Sequence, residues 1–560
     1  MTGDDDEGRG RATKMATTGD GDGRRGRRHE ALATRRGAVG RQGAPPPPEA
    51  GRSPAEELGE VDRPEPAKPA RTGGWGHLSF LFAALPLALA AACSVSETSA
   101  GVPGDGGATG DGGDSGEGGI IKPPDCDLTK EPKDSPACVD DGVAVFVSPT
   151  GDDATSGRKA SPVKSIAKGV ELAAARGVPR VYVCEGSYDG AVDVKAPVAI
   201  FGGMSCAWAV TGARPKLAPS KGVALAVTKV SGAVLVQDLE IVGSADLGKP
   251  GDSAIAAFVS ESTNVTFRNV TLTAKDGVGG ATGAARSNHS GAVASKGANA
   301  GGATGGVATT CTCTDGNSST GGAGASGAGA GIQNGSSVPA VGGANSGLSG
   351  ATTCTDGQVG ADGAAAGTGA AATTAGSLIA TGWNNAATGP AAPNGNPGQG
   401  GGGGGAKSDF SIAGGGGACG GCGGAGGAVG GNGGSSFALL SFKSSVTVEG
   451  GSLASGTGGK GGDGGGGQAG QSGGSVGGGA CNGGPGGHGA GGSGGGGGAG
   501  GHSVPVAWVG NEPTLKGAQA TPGAKGSGGG GGTPGAGPGN AGGSGATGPD
   551  GKAQPSLGLP

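Results

Sequence analysis

The arrangement in this chain that comes nearest to acid–base chemistry is Asp238-Leu239-Glu240. Residues i and i+2 of a strand share one face and stand about 6.5–7 Å apart. Glycoside hydrolysis needs two carboxyls roughly 5–9.5 Å apart. On an outward strand face such a pair is ordinarily just solvated, and no nucleophile–base pair accompanies it. Three histidines lie beyond residue 100, His289, His488 and His502. None neighbours a Cys or an acid at metal-ligand spacing, so no metal and no cofactor is expected. Cys419-Gly420-Gly421-Cys422 has CxxC spacing. A structural zinc site generally needs a second such pair, so Cys419 and Cys422 are read as disulfide cysteines.

Composition limits what could position such groups. Glycine fills 141 of 560 positions, about a quarter, against a usual share of roughly 7%. Aromatic residues make up 3% and apolar residues 34%, too few for a conventional core along the whole chain. The glycines are uneven, with 12 in residues 141–240 and 49 in residues 401–500. This excludes a multi-domain globular enzyme over the full length. Collagen is excluded as well, because the glycines cluster without a strict three-residue period. A net charge of −5 gives no reason to expect nucleic acid as a partner.

Residues 1–73 mix Gly, Ala, Pro, Arg and acids with few aliphatic clusters, the composition of a disordered leader. Residues 74–93 read as a secretory signal. Leu78 to Ala92 is an apolar run with Pro86 at its centre and Lys68 and Arg71 upstream. It is shorter than the roughly 20 residues a bilayer span needs. Ending in Cys93, the run resembles a bacterial lipobox, although Ala90 stands where Leu is usual. That resemblance implies a lipid on Cys93, a membrane partner through that lipid, and an exported, cell-envelope location, outer membrane-anchored or extracellular. Plain secretion is the alternative, and a start codon nearer residue 60 would make the leader a mis-assigned extension. Residues 94–137, rich in Gly and Asp, read as a flexible tether.

Order begins near Cys138. Val143–Ser148 alternates and ends in a turn at Pro149-Thr150-Gly151, a strand signal. Ser161-Pro162 supplies a helix start, with Val163, Ile166, Ala167, Val170 and Ala174 on one face and Gly177 as the stop. Short strands follow at 180–184, 191–194 and 198–201. A unit then recurs: an apolar strand, a polar turn, a Val-x-Val strand, then Leu or Ile. It appears at 224–241, at 255–272 and far downstream at 437–453. Repetition of this kind points to a solenoid, in which each coil buries its face against its neighbours.

Phe146-Val147-Ser148-Pro149-Thr150-Gly151-Asp152-Asp153, the Pro162 helix and Val181-Tyr182-Val183-Cys184-Glu185-Gly186-Ser187-Tyr188 resemble the start of pectin-lyase-like right-handed parallel β-helix domains. The resemblance implies an all-β fold with a short N-terminal capping helix: a parallel β-helix over 138–278 and a returning coil at 435–455. It also raises a polysaccharide lyase or hydrolase as the alternative function. Gly487-His488-Gly489 matches one element of the galacturonan hydrolase pattern, but the chain contains no Arg-Ile-Lys. Within a β-helix the 22 residues between Cys184 and Cys206 are close to one coil. Neighbouring strands lie about 4.8 Å apart, inside the usual window for bridged Cα atoms. A Cys184–Cys206 bridge is therefore expected, with Cys126–Cys138 closing the tether onto the cap. If Cys93 carries lipid, the remaining cysteines number ten, an even count suited to an oxidising compartment.

The Gly-rich insertion (279–434) and the tail (456–560, with a short strand near 504–509) resemble PGRS-type surface proteins of high-GC bacteria. Disorder, one long projecting loop and packed polyproline-II-like strands all compete here; mostly mobile, largely irregular insertions are expected, because glycine is costly to order. The resulting expectation is a non-enzymatic structural or adhesive envelope lipoprotein, with extracellular polysaccharide or cell-surface components as partners.

Overall fold

A computed structural model describes residues 121–385 and 389–560. Cys93, the expected leader and signal, and most of the expected tether lie outside the described residues.

The protein is all-β, built on three parallel sheets. The first sheet runs, neighbour to neighbour, through Ala144–Val147, Arg180–Cys184, Val198–Met204, Ala233–Gln237, Asn264–Arg268, Val446–Glu449 and Thr514–Lys516. The second runs through Ser187–Tyr188, Lys216–Leu217, Glu240–Gly243, Thr271–Ala274, Ser452–Ser455 and Gln519–Thr521. The third runs through Val192–Val194, Val223–Thr228, Ala254–Ser260, Ser436–Phe442, Val506–Val509 and Ser556–Gly558. From Arg180 onward the chain visits the sheets in one repeating order, first, second, third. Residues stack in register from strand to strand. Ile200, Val236, Phe267, Val448 and Leu515 form one column. Leu217, Ile241, Leu272 and Leu453 form another. All but the partly buried Leu515 are buried, and each such side chain contributes roughly 1.5–3 kcal/mol of burial.

Two of the three corners keep a fixed geometry. Between the third and first sheets, Lys229, Glu261 and Lys443 take positive φ of 56°, 49° and 47°. Between the first and second, Asp238 and Asn269 do the same at 56° and 50°. Their amides donate to the next layer: Lys229 to Ser260 O, Glu261 to Phe442 O, Asp238 to Arg268 O and Asn269 to Glu449 O. Left-handed backbone is uncommon outside glycine, least so for Asp and Asn and more so for Lys and Glu, and these stacked bonds hold it in place.

The helix α1 spans Ile166–Arg176, shorter than the sequence suggests. Its N-cap is Ser165, not Ser161, because Val163 is drawn into a parallel bridge with Val147. Ile166, Gly169, Val170 and Ala173 form its buried face, and Gly177 ends it at φ 66°. Residues 121–137 correct the tether reading for that stretch. The buried Arg180 guanidinium donates to Leu128 O at 3.0 Å and Lys130 O at 2.6 Å, and Cys126 is joined to Cys138. Cys184 is joined to Cys206, with Cα atoms 4.9 Å apart.

All three long Gly-rich excursions, 275–435, 456–505 and 522–555, leave the second sheet and return to the third. They contain little helix or strand, as the irregular insertions expected from the sequence would, yet residues 395–434 and 456–501 are packed side by side through backbone hydrogen bonds. Gly415, Ala418, Gly421, Gly424, Gly427, Gly430 and Gly433 donate in turn to Cys481, Gly484, Gly487, Ala490, Ser493, Gly496 and Ala499 at 2.8–3.0 Å. A second series runs the other way, with Gly459, Gly462, Gly465, Gln468 and Gln471 donating to Gly434, Gly431, Ala428, Ala425 and Cys422. A bond at every third residue is the period of a polyproline-II helix, which has three residues per turn and no internal hydrogen bonds. No glycine in 395–434, 456–501 or 523–551 takes positive φ. Glycine serves close approach here: a Cβ on Gly423 would overlap Gly395 O, and one on Gly486 would overlap Cys419 O. The entropy cost of ordering glycine is offset by backbone bonds that no side chain would permit.

Cys419 and Cys422 are disulfide cysteines, but not with each other. They join Cys311 and Cys313, while Cys354 joins Cys481. Three residues of polyproline-II-like chain span about 9 Å, beyond the roughly 4.4–6.8 Å a bridge tolerates.

Candidate functional site

The Asp238 and Glu240 carboxylates do not form a pair. Asp238 occupies the left-handed corner ahead of Glu240–Gly243 and so lies off the strand face. Its carboxylate accepts from Gln237 Nε2 at 3.0 Å and from Asn269 Nδ2. Glu240 is paired with Lys216 Nζ at 2.7 Å. The i, i+2 spacing failed because the corner intervenes between the two residues.

Gly487-His488-Gly489 belongs to the Gly-rich packing. A Cβ on Gly487 or Gly489 would overlap Ala361 O or Cys422 O. The His488 amide donates to Asp362 Oδ1 at 2.7 Å, and its Nδ1 accepts from the Gly473 amide at 3.2 Å. His289 lies beside the Cys311–Cys419 and Cys313–Cys422 bridges in a hollow also lined by Gln468 and Gln471. Its Nε2 is buried without a partner. His502 is 9% exposed and accepts at Nδ1 from the Lys552 amide at 3.0 Å. Burial, aided by the Lys552 charge, pushes its pKa down to about 4, so the ring is neutral at pH 7. No group of three or more His, Cys, Asp or Glu among the described residues is placed to hold a metal ion.

Most aromatic side chains are committed internally. Tyr182 OH donates to Cys138 O and Tyr188 OH to Cys184 O, both at 2.9 Å. Burial raises the pKa of each. Trp208 lies edge-on to Phe146 at 4.7 Å and donates to Lys159 O.

Trp383 stands apart. It lies on the second strand of a hairpin, Ser377–Ile379 with Gly382–Asn384, opposite Leu378. Ser260 Oγ ties this hairpin to the third sheet through Ala380 O at 2.8 Å. The indole packs 4.8 Å from Phe437 and 5.8 Å from His502. Gly376 makes room for it, since a Cβ there would press on the ring. Beside the hairpin is a cleft of about 500 Å³. Its walls come from the 249–253 loop, Trp383 and Asn385, and Gly431-Asn432 of a Gly-rich segment, with Val223 and Ile255 from the third sheet. That volume falls within the range of small-molecule sites, roughly 300–1,000 Å³.

Lys249 and Asp252 on the rim pair at 3.2 Å, and Asp252 also accepts from the Asp246 amide. Asn385 Nδ2 donates to Gly251 O, and Asn432 Nδ2 donates to Thr374 O. Two polar atoms of residues that line the cleft, Trp383 Nε1 and Asn385 Oδ1, are buried beneath its surface and have no partner. Sequence reasoning missed this cleft because it forms where three distant segments meet. Trp383-Asn384-Asn385, an aromatic followed by two amides in an otherwise small-residue stretch, was the available signal. No helix among the described residues is long and apolar enough to cross a membrane. A scan against protein-family models and a search of curated proteins each find no match for this chain.

Proposed function

We propose that the protein is an exported structural or adhesive component of the cell envelope, held through a lipid on Cys93. In this reading a right-handed parallel β-helix of the pectin-lyase-like kind carries a PGRS-type Gly-rich body. The repeating passage through three parallel sheets and the stacked corners support the β-helix. The observation that carries the function is the Gly-rich body itself. Its segments are packed by backbone bonds three residues apart and cross-linked by Cys311–Cys419, Cys313–Cys422 and Cys354–Cys481. Such a body offers a fixed, extended, polar surface for holding polysaccharide or cell-surface components. Five disulfides among the described residues also suit an oxidising compartment outside the cytosol.

The test is expression of the full chain with its own signal. Wild-type protein is expected to partition into detergent and take up labelled palmitate, and Cys93→Ser is expected to do neither. Unlabelled wild-type protein overturns the anchor. The purified protein should retain polysaccharide without releasing reducing or unsaturated ends from pectate. Release of such ends replaces this reading with a carbohydrate-active enzyme.

A further inference from the structure

We infer that the cleft beside Trp383 is a binding site for a neutral oligosaccharide, an inference that rests on the adhesive reading and supplies its ligand class. Charge is the first argument. Among the described residues, Lys249 and Asp252 are the ionisable side chains that line the cleft, and they neutralise each other at 3.2 Å. An acidic polymer such as a polyuronate would find no unopposed cation there, and a cationic ligand no unopposed carboxylate.

The second argument is hydrogen-bonding capacity. Trp383 Nε1 is a donor without an acceptor, and Asn385 Oδ1 is an acceptor with a free lone pair. Both are closed to water, and buried polar groups are normally paired. Hydroxyl groups supply both missing functions, accepting from the indole N–H and donating to the amide oxygen. The hairpin 377–384 must yield slightly to admit them. It is a short two-stranded element, held to the third sheet by the Ser260–Ala380 bond and by Trp383 against Phe437. The third argument is the lining. Val223, Ile255 and the Trp383 indole give apolar surface beside amide groups, a mixture suited to a pyranose, whose C–H faces and hydroxyl rim differ in the same way.

The experiment uses the full chain with 15N-labelled tryptophan. It is titrated separately with cellohexaose, laminarihexaose and hexagalacturonate, and the indole N–H resonances are followed. One neutral hexasaccharide is expected to shift the Trp383 indole signal, identified by its Overhauser contacts with Phe437. Trp383→Phe, which keeps a ring but removes the N–H, should weaken that binding at least tenfold. Neutral binding that leaves the Trp383 signal unmoved and survives Trp383→Phe overturns the site while sparing the adhesive reading. Tighter binding of hexagalacturonate overturns the ligand class. Failure to bind any of the three, or any intact polysaccharide, removes both the site and the adhesive reading. If Trp383→Phe does not fold, the wild-type indole shift decides.

Discussion

The two bridges that fasten Cys311-Thr312-Cys313 to Cys419-Gly420-Gly421-Cys422 should be strongly non-additive. Each closes a loop of more than a hundred residues, with sequence separations of 108 and 109. On the chain-entropy treatment, closing a loop of that size alone restricts the unfolded chain by about 4.8 kcal/mol. With one bridge already present, the second closes only the short ring through 311–313 and 419–422. For roughly seven residues the same relation gives about 2.4 kcal/mol. Cys311→Ala/Cys419→Ala and Cys313→Ala/Cys422→Ala should therefore each destabilise by about 2.4 kcal/mol, and the fourfold variant by about 7 kcal/mol. The coupling between the bridges is then about 2.4 kcal/mol. Guanidinium unfolding of the four proteins, followed through tryptophan fluorescence and through amide exchange of the Gly-rich segment 413–434, measures the cycle. Additive losses, or a single-bridge loss near 5 kcal/mol, would refute the argument that the bridges share one loop.

Gly423→Ala drives a methyl group onto Gly395 O and should cost about 1–3 kcal/mol or more, as overpacking does. At Gly343, where nothing lies within 4 Å of an added Cβ, alanine should be neutral or stabilising by about 0.4–1 kcal/mol; equal thermal shifts for the two variants would contradict the close-packing account. His502 titrates in the unfolded chain near 6.5 but in the folded protein at about 4. The unfolded state binds more protons between these values, so stability is full above about pH 6.5 and falls as the pH drops to 4. The loss is about 3 kcal/mol. Melting curves at pH 4.5 and 7.5 should show that loss for wild type, with the His502 contribution to the pH slope absent in His502→Asn.

Legibility in the sequence follows the side chains. Strands such as Ala233–Gln237 and Asn264–Arg268 were visible because β-branched residues alternate, and the same signal found Ser436–Phe442 far downstream. Ser187–Tyr188, Lys216–Leu217 and Gln519–Thr521 were not visible, since two or three residues carry no period. They are strands because longer neighbours recruit them. The Gly-rich packing was illegible for a different reason. Its bonds join backbone groups dozens of residues apart, such as Gly421 to Gly487, and glycine has no side chain to announce a partner. At the candidate site Trp383 was visible as a residue, but its neighbours Asp252, Asn385 and Ile255 come together only through tertiary structure.

The third corner, where the second sheet hands over to the third, makes excursion length nearly irrelevant to the other two corners, although the excursions themselves are tied together by Cys354–Cys481 and by backbone bonds such as Gly421 to Gly487. Ser436 Oγ donates to Lys275 O at 2.7 Å and accepts from the Gly456 amide at 2.8 Å. The point where the first excursion departs, the point where it returns and the start of the next are therefore already touching. Loop-closure entropy grows only with the logarithm of length, so this corner behaves as a graft port. A foreign segment spliced between Lys275 and Ser436 would meet ends that are already adjacent, while the stacked corners at Lys229 and Asp238 would not register the change.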